Sequence, residues 1–222
     1  MGQLEFVAFA VLLLVLVWVV NHQWKKRRLS TLRQVATDLG LEFYAKGNLS
    51  IIPNYVWFRL LGGGSNRKIT NRMSGPKAYG EPVLFDYVDP GEPETYSQTV
   101  AWLNYEKDLP TFELRARNSW PELSVAFGHT EIDFQDRPGF SKRYRLTGRD
   151  ESGKVSLLFS SLVTEFFEKR EGLCIQAYKS GMLVYVSNRL LSAHEVPGFF
   201  RQAKMIYSLF NAASRLSESA TT

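Results

Sequence analysis

Between Phe6 and Val20 the chain carries no polar side chain, and shortly afterwards it reaches Lys25-Lys26-Arg27-Arg28. Nothing else in its 222 residues constrains the fold as strongly. A core helix needs a polar face, and this run has none. A cleaved export signal opens with basic residues and closes on small ones. This run opens Met-Gly-Gln-Leu-Glu and closes Val-Trp-Val-Val-Asn-His, with its charges on the far side. A membrane span takes ~20 residues, and Leu4 to Trp24 reaches ~31 Å at ~1.5 Å per residue. The sequence therefore predicts an N-terminal single transmembrane helix over 1–24 and a basic juxtamembrane segment over 25–33. Trp18 and Trp24 suit the headgroup zone as interfacial anchors. Lys25, Lys26, Arg27, Arg28 and Arg33 favour the cytoplasmic membrane surface. The expected placement is the inner (plasma) membrane, single-pass, with the N-terminus outside and the C-terminal domain cytoplasmic. The myristoylation pattern fails because position 6 is Phe.

The charge total points the same way once it is located. Lys and Arg number 27 against 22 Asp and Glu, a net +5. Five of the bases sit beside the apolar run, and taking them from the 27 leaves basic and acidic residues in balance. The basic excess is thus no signal for nucleic acid, and no nucleic-acid partner is expected. Cys174 is the lone cysteine, so no intrachain disulfide forms, and its apolar neighbours make it a buried thiol rather than a nucleophile.

After the apolar run, periodicity predicts a helix over 29–39, with Thr31 and Gln34 as a capping box and Gly40 as its stop. LEFYA (41–45) reads as a strand. Residues 46–80 read as irregular and Gly-rich, and match neither phosphate-loop pattern. Residues 43–80 hold bases but no acid, and 81–94 hold acids but no base. Those blocks either pair across a hairpin or present the basic one to a membrane. PVLFDYVD (82–89) and TYSQTVAWLNY (95–105) read as a hairpin. TFELRAR (111–117), HTEIDF (129–134) and KRYRLTG (142–148) read as strands. A helix follows over 155–167. LCIQAYK (173–179) and MLVYVS (182–187) read as a hairpin turning at Ser180-Gly181, and a last helix runs 197–216. The class is α+β: one soluble domain over 34–216 with a mainly antiparallel sheet, two to three packed helices, and a disordered tail over 217–222.

Chemistry is sparse. If 129–134 is a strand, its period of two puts His129, Glu131 and Asp133 on one face. Such a trio can bind a divalent metal or act as an acid/base set, although the solvent face of a half-buried strand accounts for it with no special assumption. No catalytic residue, resident metal or cofactor is assigned. Rings interleave with polar groups in FDY (85–87), TYSQTVAW (95–102) and FSKRYRL (140–146). That is the make-up of a recognition surface, though sheet core with amphipathic tyrosines is the simpler account.

FDY, QTV (98–100) and FSKRYRLTGRDE (140–151) followed by a Phe-rich helix resemble an uncharacterised bacterial family of N-terminally membrane-anchored proteins. The resemblance spans the chain from the apolar run to the last helix. It implies an inner-membrane protein with a cytoplasmic domain and carries no established activity. The leading expectation is a membrane-tethered, non-enzymatic binding module whose partners are the lipid bilayer and a protein. Two alternatives stand beside it: a metal-dependent hydrolase using His129, Glu131 and Asp133, and a peripheral anionic-lipid-binding domain using the basic block 46–77.

Overall fold

The computed structural model describes residues 3–62, 66–76, 78–90, 95–119, 129–149 and 152–219. Helix α1 (Gln3–Asp38) is followed by strand β1 (Glu42–Gly47). Gly40 at φ +69° ends α1, with the Leu41 N–H donating to the Ala36 carbonyl at 2.8 Å and the Gly40 N–H to Thr37. That is the glycine stop the sequence predicts. Two short 3-10 turns (Leu49–Ile51 and Tyr55–Trp57) and helix α2 (Arg59–Gly62) lead to β2 (Lys68–Ser74), β3 (Val83–Asp89) and β4 (Tyr96–Ala116). Then come β5 (His129–Ile132), α3 (Pro138–Arg143), β6 (Tyr144–Arg149), α4 (Ser152–Leu158), α5 (Ser161–Glu168), β7 (Leu173–Val186) and α6 (Val196–Ser219).

All seven strands form one antiparallel sheet. β4 is its spine. One edge of β4 pairs with β3 through Tyr96–Trp102 and with β6 through Phe112–Ala116, and its other edge pairs with β7. The α+β class and the antiparallel sheet agree with the sequence.

The two faces of the sheet are built differently. On one, alternation points Leu103, Leu114 and Phe112 into a core roofed by helices. Phe112 meets Phe159 edge-on at 5.1 Å and stacks on Phe210 of α6 at 5.6 Å. α1 joins this face through buried Leu32 and Ala36 and through Arg28. The Arg28 guanidinium reaches Asp86 at 2.7 and 3.3 Å and also donates to the Leu191 carbonyl at 2.7 Å. Asp86, 4% exposed, takes further hydrogen bonds from Asn71 and Thr99. A buried carboxylate is tolerated because its oxygens are met this completely.

The other face is covered by the strap between β1 and β2, residues 48–62. Ile52, Phe58 and Leu61 of the strap are buried. Beneath it runs a polar row. The Tyr87 hydroxyl donates to the Leu60 carbonyl at 2.7 Å, and the Leu60 N–H donates to Gln176 Oε1 at 3.0 Å. Both backbone polar groups of Leu60 are thus held by side chains of the sheet, leaving neither an unpaired buried group. Gln176 Nε2 donates onward to Glu113 at 3.1 Å and to the Tyr185 hydroxyl at 3.0 Å.

Several expectations are corrected. The transmembrane helix over 1–24, and with it the single-pass inner-membrane placement, is overturned: among the described residues no helix is long and apolar enough to cross a membrane. The run is the front of a 36-residue helix that continues without a break through Lys25–Arg28 into the domain. Thr31 is therefore mid-helix, its hydroxyl donating to the Arg27 carbonyl, and forms no capping box. Ser180-Gly181 is no turn, because β7 passes straight through it alongside β4. The helix expected over 155–167 is two, α4 and α5. β2 lies in what reads as an irregular stretch, and α6 extends to Ser219, into the expected tail.

Candidate functional site

Where the strap leaves the second face uncovered, a groove of about 1110 Å³ opens. Six chain segments build it. β1 gives Glu42 and Tyr44, β2 gives Arg72 and Ser74, and the strap gives Ile51 and Pro53. The β2–β3 connection contributes Tyr79 and Glu81, and the sheet floor is Val83 and Trp102. Val83 and Trp102 are cross-strand partners, which brings the two apolar side chains side by side on this face.

The polar groups gather toward β1 and β2. The Arg72 guanidinium lies over the Tyr44 ring, 3.8 Å from its centroid, and Tyr44 donates its hydroxyl proton to Glu42. That hydrogen bond, with the Glu42 charge beside it, holds the Tyr44 phenol above its ordinary pKa, so it stays a neutral donor. Glu81 is tied to α6 by Lys204 at 2.5 Å. Gly80 at φ +80° makes that contact possible, since a Cβ there would come within 2.6 Å of Tyr207. Tyr79 is exposed, as are Val56 and Trp57 on the strap, where Trp57 stacks on Tyr178 at 5.5 Å. The arrangement is amphipathic, with an apolar floor and strap and a charged end. Among the described residues it holds no nucleophile–base pair.

The residues singled out from sequence fall elsewhere. Glu131 is held by Arg117 at 3.0 Å and Arg145 at 3.3 Å, and Asp133 is exposed beyond the end of β5. The side chain of His129 lies outside the described residues. Among the described residues no group of three His, Cys, Asp or Glu side chains can hold a metal. Cys174 is buried, and burial pushes its thiol upward, against a nucleophilic role.

Of the basic segment, Arg28 points into the domain onto Asp86, while Lys26, Arg27 and Arg33 are exposed. The side chains of Trp24 and Lys25 lie outside the described residues. Trp18 is exposed and stacks on His22. Of the basic block 46–77, Arg59 reaches Glu113, Arg67 reaches Asp89 at 3.1 Å and Arg72 covers Tyr44, while Lys46 and Lys68 are exposed. Arg67–Asp89 joins the basic and acidic blocks across neighbouring strands, one of the two readings their spacing allowed.

The fold matches a solved structure. The crystal structure of the mycobacterial trehalose monomycolate transport factor A, TtfA, superposes with a TM-score of 0.59, covering 82% of this chain and 92% of that one. Identity over the match is 11%, so the likeness is one of fold. No protein-family model and no curated protein sequence matches the chain.

Proposed function

We propose that the chain is a non-enzymatic, lipid-associated binding module whose groove takes a single-chain amphiphile. The groove itself carries the reading. Ligand pockets commonly enclose ~300–1,000 Å³ with apolar walls and a few placed polar groups, and this one reaches the top of that range. An acyl chain would lie along Val83, Trp102, Ile51 and Pro53, and its polar head would meet Arg72, Tyr44 and Glu42. The fold shared with a protein that its name makes a transport factor for a lipid supports the same class of ligand.

The test uses an uncharged single-chain lipid, a monoacylglycerol, titrated into the full chain below its aggregation limit while tryptophan emission is followed. Saturable binding is expected, weakened about tenfold or more by Val83→Glu, which puts a charge against the apolar floor. Absence of saturable binding, or equal affinity in the variant, would overturn the reading.

A further inference from the structure

The far end of the strap borders a second, smaller cavity of about 170 Å³. Its chemistry is unlike the groove's. Three guanidiniums line it, Arg59, Arg67 and Arg115, against two carboxylates, Asp89 and Glu113. One positive charge is therefore in excess among the described lining residues.

The carboxylates are already engaged. Glu113 faces Arg59 at 3.5 Å, Arg115 at 3.7 Å and Gln176 at 3.1 Å. Asp89 takes Arg67 through Nη2 at 3.1 Å. The other two nitrogens of Arg67, Nε and Nη1, are buried and have no hydrogen-bond partner among the described residues. The Arg67 side chain is only 12% exposed, so water meets little of it. A buried guanidinium that uses one of its three nitrogens is costly unless something else accepts from the remainder. The phenols around it stay neutral, because burial pushes both Tyr87 and Tyr185 upward, so they add no competing charge. The Tyr87 hydroxyl proton is committed to the Leu60 carbonyl, which leaves Arg67 as the donor open to a ligand.

We infer that this cavity is an anion site in which the Arg67 guanidinium, through Nε or Nη1, donates to an oxygen of one phosphate group. Guanidinium is the side chain best matched to phosphate oxygens, and the excess charge at the site favours an anion. The phosphate is carried either by a lipid headgroup or by a small soluble molecule. The site rests on Arg67 and its surroundings, and does not depend on the groove binding an acyl chain.

The full chain is titrated with inorganic phosphate, with chloride as the ionic-strength control, and separately with a short-chain phosphatidic acid below its aggregation limit. The readout is the Nε–H resonance of Arg67 in the unmodified protein. A saturable shift is expected with phosphate or with the phosphatidic acid, and none with chloride. If both shift it alike, the phosphate group alone is recognised. If only the lipid does, the headgroup is the source; either result supports the site. Arg67→Gln should weaken binding about tenfold or more, as loss of a charge-assisted donor does, and Arg67→Lys should restore part of it. An Arg67 resonance that moves with neither ligand at millimolar concentration would overturn the site, whatever the fate of the Gln variant. Equal affinity in a folded Arg67→Gln protein would overturn it too. The monoacylglycerol that tests the groove carries no phosphate, so failure there and failure here are distinguishable.

Discussion

The two faces of the sheet close themselves in opposite ways. Under the helices, Phe112, Phe159, Phe167 and Phe210 fill space ring against ring. Under the strap, the sheet offers Tyr87, Glu113, Gln176 and Tyr185, and the cover is a single irregular segment pinned by hydrogen bonds to the N–H and C=O of Leu60. Helices present a continuous apolar stripe and seal a face. A strap of fifteen residues touches the sheet at intervals and leaves cavities on either side. The helix face is closed by aromatic packing, and the strap face holds the groove and the smaller cavity.

That contrast can be broken by substitution. Phe210→Ala on the helix face should cost about 3–5 kcal/mol in denaturant unfolding, and leave monoacylglycerol affinity in the folded protein unchanged. Asp86→Ala should cost about 3–5 kcal/mol, because it strands the buried Arg28 guanidinium; a loss under about 1 kcal/mol would mean α1 is not clamped to the domain. On the strap face the effect should be smaller and local. Gln176→Ala removes the acceptor of the Leu60 N–H and should cost about 1–3 kcal/mol, with faster amide exchange at Leu60 and little change at Leu103 or Leu114. Uniform acceleration would show that the strap unfolds only with the core.

The smallest effect is expected from alkaline pH. Burial pushes Tyr144 up to about 12. Its folded value lies above the unfolded value of about 10, so its contribution is fully present below pH ~10 and lost as pH rises through about 12. Stability should be insensitive to Tyr144 between pH 7 and 9, and a Tyr144→Phe protein should lose less stability on going from about pH 10 to 12 than the parent.

How much of this was legible follows from how locally each part is specified. β3, β5 and β6 were readable because alternation and turn residues lie next to each other in sequence. β2 was not, since Lys68–Ser74 buries only Ile69 and Met73, and the register slips between Thr70 and Met73 around Asn71 at φ +50°. Gly181 misled for a different reason. It looks like a turn glycine, yet it sits inside β7 because a Cβ there would meet Phe58 at 3.0 Å and Trp102 at 3.3 Å. It marks the close approach of the strap, which no local pattern reveals. The apolar run is no separate segment, and the continuation of α1 into Arg28 depends on Asp86, 58 residues away, which no local pattern shows. The groove was invisible for the same reason, being assembled from six segments. The ring-and-polar stretches were the one available signal: Trp102 lines the groove, and Tyr87 and Tyr96 line the anion cavity.

The central claim is that ligands enter on the strap face and not on the helix face. Amide hydrogen exchange of the full chain, with and without saturating monoacylglycerol, tests it most directly. Protection confined to Tyr44, Ile51, Arg72 and Trp102 and their neighbours, with α4, α5 and α6 unchanged, is the predicted result. No lipid-dependent protection, or protection centred on α4 to α6, would contradict the account.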